Sequence, residues 1–303
     1  MCPHSNPAQR NAKVMIVNAF VHEGEGGNPA GVVLDADGLS ESDMQAIATR
    51  TGLSETAFVS GSEIAAFKLD FFTPNRRIAH CGHATVGTFS VLAALGRVED
   101  GPSSKETVDG PRAILVENGA AYMEQLAPTY FEEGEWGSDE IRRQDVLDAL
   151  GLSQADLAEG GDPVVVDTGN RFMLVGVGTA TVLADLKRNE ELVEAISNDL
   201  DLIGFYVFAP VEGRELSATT RMFAPRFGIS EEAGTGMAAG PLACLLHDRL
   251  GVTSPRILIE QGRFMKPASI SRLEVNLALD GGRITGLMAG GFGKVMNETT
   301  VTY

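Results

Sequence analysis

A chain of 303 residues exceeds the roughly 100–150 of a typical domain, so two domains are expected. At 44% hydrophobic and 21% charged it can build a full core, and its net charge of −17 argues against nucleic acid or anionic membrane as partners, because neutralising phosphates needs clustered Lys and Arg. Three widely spaced cysteines (Cys2, Cys81, Cys244), no apolar leader and no run near the roughly 20 residues of a membrane span give the expectation of a soluble, reduced, cytoplasmic protein.

Val14 to Phe20 is an apolar strand, turned by Gly26-Gly27-Asn28-Pro29-Ala30 into a second, Gly31 to Leu34. Ser40 with Asp43 three positions on is a helix-start signature; the helix runs through Met44, Ile47 and Ala48 and stops at Gly52. Leu53 to Val59 enters a strand, and Phe67, Leu69 and Phe71 alternate with Lys68 and Asp70, the period of a half-buried strand. After Pro74 comes Cys81-Gly82-His83-Ala84-Thr85 and a helix that is apolar nearly all round, closed by Gly96. Ile114 to Val116 and Ala120 to Leu126 read as a hairpin about Asn118-Gly119. Ala127 to Gly137 reads as a linker, and a helix from Asp139 to Leu150 follows. Val164 to Val166 and Phe172 to Val177 are strands, Thr179 to Asp201 holds one or two helices, and Gly204 to Ala209 is a strand again. Then come Leu216 to Phe223, a loop, and a second apolar helix from about Gly236 to Leu250. Arg256 to Glu260, Leu273 to Leu279 and Arg283 to Leu287 close the chain as strands.

The halves echo each other. Phe72-Thr73-Pro74 is matched by Phe223-Ala224-Pro225, Gly82-His83-Ala84-Thr85 by Gly234-Thr235-Gly236, and Ile114 to Gly119 by Ile257 to Gly262. The shared order of strand, loop, helix and strand points to duplication of one unit around one central helix. A β-barrel wrapped on that helix explains why neither helix has a polar face. A boundary near Ala127 then gives a domain over 1–126 and another over 127–286.

Each helix start exposes backbone N–H groups and a positive partial charge, which suits a carboxylate. Glycine at Gly82, Gly234 and Gly236 lets a ligand approach the backbone beside Ala84, Thr235 and Met237. His83 is either a neutral group orienting a substrate or a capping histidine bonded to backbone. Asn28 is either a turn residue or a ligand contact. Glu232 is either a cap at the second helix start or an acidic partner in a site.

The chain resembles the PhzF family, phenazine-biosynthesis-like isomerases of the diaminopimelate epimerase superfamily. The resemblance rests on Asn28-Pro29-Ala30, Leu53 to Val59, Phe72-Thr73-Pro74, Cys81 to Thr85, Phe223-Ala224-Pro225, Glu231 to Gly236 and Glu260-Gln261-Gly262, all in order. It implies an α+β fold of two pseudo-symmetric barrel domains, the first completed by the final strand over about 287–303, and a homodimer. It also implies an isomerase that shuttles a proton within a small unsaturated or cyclic carboxylic acid, without cofactor or metal. By motif the acid–base is Glu55, with His83 and Glu232 as polar partners; Glu232 stands where the family usually has Asp, and Met237 where it often has a polar residue. The epimerase relatives use two thiols. Here Cys81 takes the first place but Ala233 the second, so racemisation is disfavoured and Cys81 reads as packing. Racemase activity and a catalytically silent acid-binding or interaction protein are the competing readings.

Overall fold

Two helices without a polar face need apolar surroundings on every side, and in the computed structural model each becomes the axis of its own unit. The structure describes residues 10–211 and 215–303, so Cys2 lies outside the described residues. One unit comprises residues up to Ala19, Pro29–Ala121 and Gly293–Tyr303; the other comprises Phe20–Asn28 and Tyr122–Phe292.

The first unit contains β1 (Asn11–Ala19), β2 (Asn28–Val33, from Pro29 on), α1 (Glu41–Thr51), β3 (Thr56–Ser60), β4 (Phe67–Phe72), β5 (Arg77–Ile78), α2 (Gly82–Ala94), β6 (Gly101–Thr107) and β7 (Gly110–Glu117). α1 forms where its caps dictate. The Ser40 side chain accepts from the Asp43 N–H, Asp43 returns the bond to the Ser40 N–H, and Gly52 ends the helix in the left-handed region. β2 and β3 run parallel, β3 and β4 antiparallel, and β4 is flanked by antiparallel β5 and parallel β6, which pairs in turn with antiparallel β7. α2 is buried from Gly82 to Leu92. Gly87 brings it against β1, where an added Cβ would lie 3.1 Å from a Val17 methyl, and Phe89 meets Phe67 edge-on at 6.1 Å between ring centroids.

The second unit continues with β8 (Ala120–Leu126, from Tyr122 on), β9 (Thr129–Phe131), α3 (Arg143–Leu150), β10 (Val164–Asp167), β11 (Arg171–Gly176), α4 (Ala180–Ala184), α5 (Glu190–Asp199), β12 (Gly204–Pro210), β13 (Ala218–Ala224), β14 (Ile229–Glu232), α6 (Gly236–Arg249), β15 (Arg256–Gln261), β16 (Ser271–Asp280) and β17 (Arg283–Thr302, as far as Phe292). Its pairing repeats that of the first unit step for step. β11 and β12 are parallel, β12 and β13 antiparallel, and β13 is flanked by antiparallel β14 and parallel β15, which pairs with antiparallel β16. α6 falls between β14 and β15 as α2 falls between β5 and β6, and it is buried at Gly236 and from Ala238 to Leu246. The short sequence echoes therefore mark a true duplication of topology, and the α+β, barrel-around-helix architecture stands.

Three stretches differ from expectation. The proposed linker Ala127–Gly137 is built into the second unit: β9 pairs with β10, and Trp136 is fully buried with its Nε1 donating to Phe131 O at 2.9 Å. Its glutamates and glycine masked one aromatic anchor. α3 begins at Arg143 rather than Asp139, because Asp145 accepts from the Arg142 N–H and sets the start there. β17 runs on far past Leu287. Its first part pairs with β16 and its last ten residues, Gly293 to Thr302, with β1. Among the described residues no helix is long and apolar enough to cross a membrane.

Candidate active site

In the first unit, the turn after β5 delivers Cys81 in extended backbone geometry as the residue capping α2, with Gly82 and His83 in the first helical turn. The Thr85 N–H and hydroxyl both bond the Cys81 carbonyl, at 3.2 and 2.7 Å, which fixes this start. Glu55 sits just before β3, and its carbonyl accepts from the Gly31 N–H at 2.9 Å. Parallel pairing of β2 with β3 thus brings a carboxylate to the end of α2, although 28 positions separate it from His83.

Glu55 Oε2 lies 3.2 Å from His83 Nε2, with side-chain exposures of 12% and 5%. The contact is close but badly directed, and Oε2 is buried without an aligned donor. Burial pushes the Glu55 pKa up, but His83, by contact and by charge, and the Ser54 hydroxyl outweigh it and hold the carboxyl below its ordinary value. Glu55 is therefore a carboxylate at neutral pH, with an oxygen able to take a proton. Cys81 Sγ joins the group at 3.6 Å from His83 Nδ1. The thiol forms no disulfide, and neither does Cys244.

Beneath this start lies a residue the sequence reading passed over. Lys105, on β6, is fully buried and donates to Thr85 Oγ1 at 2.6 Å and to His80 Nδ1 at 2.9 Å. Burial, then the charges of Lys105 and Arg112, lower the His80 pKa to about 3, so its imidazole is neutral and Nδ1 accepts. The strand alternation of β6 was the only available signal, and it does not foretell a buried cation.

In the second unit the remaining expected residues form their own network. Asn28 Nδ2 donates to Glu232 Oε1 at 3.0 Å and to Gly234 O at 2.9 Å, and the Thr235 hydroxyl donates to Glu232 Oε2. Both Glu232 oxygens thus have donors, whereas Glu231 is held by a two-pronged contact with Arg221 at 2.9 and 2.8 Å. Gln261, from a motif whose role the sequence left open, organises the turn: its Oε1 accepts from the Thr235 N–H at 3.1 Å and the Tyr206 hydroxyl at 3.0 Å, and its Nε2 donates to Glu232 O at 2.7 Å. One N–H of the expected carboxylate cradle is therefore already engaged. Gly234 has a packing reason to be glycine, since an added Cβ would lie 2.5 Å from Ser271 Oγ and 2.9 Å from the Phe20 ring. Gly82, Ala84, Thr235 and Gly236 are buried, and Met237 is half-buried.

Comparison with known proteins gives the chain's relatives. Residues 17–291 match the model of the PhzC-PhzF family, described as phenazine biosynthesis-like protein. The chain is 32% identical over 270 residues to an uncharacterised isomerase of Clostridium acetobutylicum, covering 86% of this chain and 89% of that protein. It is 34% identical over 236 residues to the trans-2,3-dihydro-3-hydroxyanthranilate isomerase of Pseudomonas chlororaphis, covering 76% and 77%. The crystal structure of a Bacillus anthracis phenazine biosynthesis protein of the PhzF family superposes with a TM-score of 0.84 at 27% identity, covering 96% of this chain and 99% of that one.

Proposed function

The chain belongs to the PhzC-PhzF family of phenazine biosynthesis-like proteins, and on that premise we propose that it is a cofactor-independent isomerase moving a proton within a small unsaturated or cyclic carboxylic acid. One observation carries the reading: the Glu55 carboxylate is ionised, mostly buried, beside His83, and presents an oxygen with no aligned donor. Glu55 takes a proton from one carbon of the substrate and returns it to another, so the electron pair shifts along the unsaturated system and nothing is consumed. His83 steadies the carboxylate and exchanges a hydrogen bond with it as its charge changes. The N–H groups at the start of α2, around Gly82 and Ala84, take the substrate carboxylate. Glu232, already bonded at both oxygens, shapes the start of α6 together with Asn28.

Incubation in D₂O with candidate unsaturated acids should place deuterium on one allylic or ring carbon. Glu55→Gln should lower that labelling by about 10²–10⁴-fold, the usual worth of a positioned acid–base, while leaving the circular dichroism spectrum unchanged. Labelling undiminished in this variant overturns the assignment. A racemase reading draws on the Cys81 contact with His83, but Ala233 supplies no second acid for inversion. Loss of activity on alkylating Cys81, with labelling at an α-carbon, would favour it instead.

A further inference from the structure

Glu55, Cys81 and His83 place a carboxylate oxygen, a sulfur and an imidazole nitrogen within 4.8 Å of one another. We infer that these three side chains form a binding site for a zinc-class cation, and that such an ion switches the enzyme off by occupying Glu55. One thiolate, one imidazole and one carboxylate are the donor set of a borderline-soft ion, whereas Mg²⁺ and Ca²⁺ call for oxygen throughout.

The oxygen–nitrogen spacing already suits such an ion, and the sulfur lies close by. An ion with bonds of about 2.0–2.3 Å in tetrahedral geometry holds its ligand atoms roughly 3.2–3.7 Å apart. Glu55 Oε2 and His83 Nε2 are 3.2 Å apart, and Cys81 Sγ is 3.9 Å from the same nitrogen. Sulfur must close by a few tenths of an ångström on the nitrogen, and it starts within 4.8 Å of the carboxylate oxygen. Neither of the anionic donors is committed elsewhere in a way that would resist this. Oε2 has no aligned donor, and the Cys81 side chain makes no capping bond to the helix it precedes. The backbones that carry the three groups are pinned by the Gly31–Glu55 and Thr85–Cys81 bonds, so little ordering remains to be done on binding. The positive end of α2 and the buried Lys105 beneath it oppose a cation, and two anionic ligands facing a dication offset them.

Inhibition rests on the proposed role of Glu55; binding does not, and the two are tested apart. Cys2 and His4 could supply a competing site, so the full chain carrying Cys2→Ser is titrated with Co²⁺, and its Zn²⁺ affinity is measured against a chromophoric chelator. One equivalent of Co²⁺ should bind with a thiolate-to-cobalt charge-transfer band. Cys81→Ser should abolish the band and weaken Zn²⁺ by more than the 10–100-fold that loss of a mere supporting residue costs. Glu55→Gln should keep the band and weaken Zn²⁺ at least tenfold, which serves as the second variant if Cys81→Ser misfolds. A band that survives Cys81→Ser, a band that disappears with Cys2→Ser alone, or Zn²⁺ affinity unchanged in Glu55→Gln overturns the site. With the deuterium assay, Zn²⁺ should suppress labelling and a chelator restore it; labelling that instead requires the metal overturns the inhibitory role. Failure to bind metal leaves the isomerase reading standing, and labelling that ignores Glu55→Gln sinks that reading while leaving the site.

Discussion

Lys105→Met tests the electrostatics under the start of α2. The ammonium has no exposed surface, donates to Thr85 and His80, and stands 5.1 Å from the centre of the Phe71 ring. Burial pushes its pKa from 10.5 down to about 7, against the opposing charge of Cys81, with Arg112 adding to the lowering. In the unfolded chain the same amine keeps its proton to about 10.5. Between about pH 7 and 10.5 the unfolded state therefore binds more protons, and stability must rise with pH. A shift of ~3.5 units at 1.36 kcal/mol each amounts to roughly 5 kcal/mol across the window, or about 2–3 kcal/mol between pH 7.5 and 9.5. Methionine fills similar space with no charge and removes that slope. It also leaves the His80 Nδ1 acceptor without this donor, a cost of about 1–3 kcal/mol that is constant over the window because His80 stays neutral. Urea unfolding of both chains at several pH values gives the difference. The variant should compare best with the parent near pH 7 and lose ground steadily toward pH 9.5. A difference that stays flat would refute the buried, proton-shedding lysine.

Three further outcomes follow from the second unit. Asn28→Ala removes the donor to Glu232 Oε1 and Gly234 O, so unfolding free energy should fall by about 2–3 kcal/mol; Asn28→Asp should cost more, because two carboxylates would then meet. Gly234→Ala should cost about 1–3 kcal/mol by overpacking against Ser271 and Phe20, and a melting curve no different from the parent's would contradict the close approach. Cys244 is fully buried, and burial, helped by the charge of Asp248, pushes its thiol up to about 12. It should resist thiol reagents in the native chain at neutral pH and react once urea is added, a difference read by mass spectrometry.

What the sequence determined on its own was local. Ser40, Asp43 and Gly52 bound α1 through bonds that span only three or four positions, and the structure reproduces both ends. Asn118 and Gly119 both take positive φ in the two-residue turn between β7 and β8, as residue type alone demands. The lack of a polar face on α2 and α6 dictated a surrounding wall, and with the repeated tripeptides it made the duplicated fold legible. Proximity was another matter. Glu55 reaches His83 through the pairing of β2 with β3, and Lys105 comes beneath α2 because β6 lies parallel to β4, with Phe67 opposite Lys105. Those registers are set by burial summed over whole strands, which no single residue announces. The same holds for Trp136, an apolar anchor inside a stretch of glutamates, and for β17, whose exposed second half is kept in strand by its partner β1. Residue types named the chemistry available to this chain; tertiary pairing decided which of those groups meet, and in what medium they carry charge.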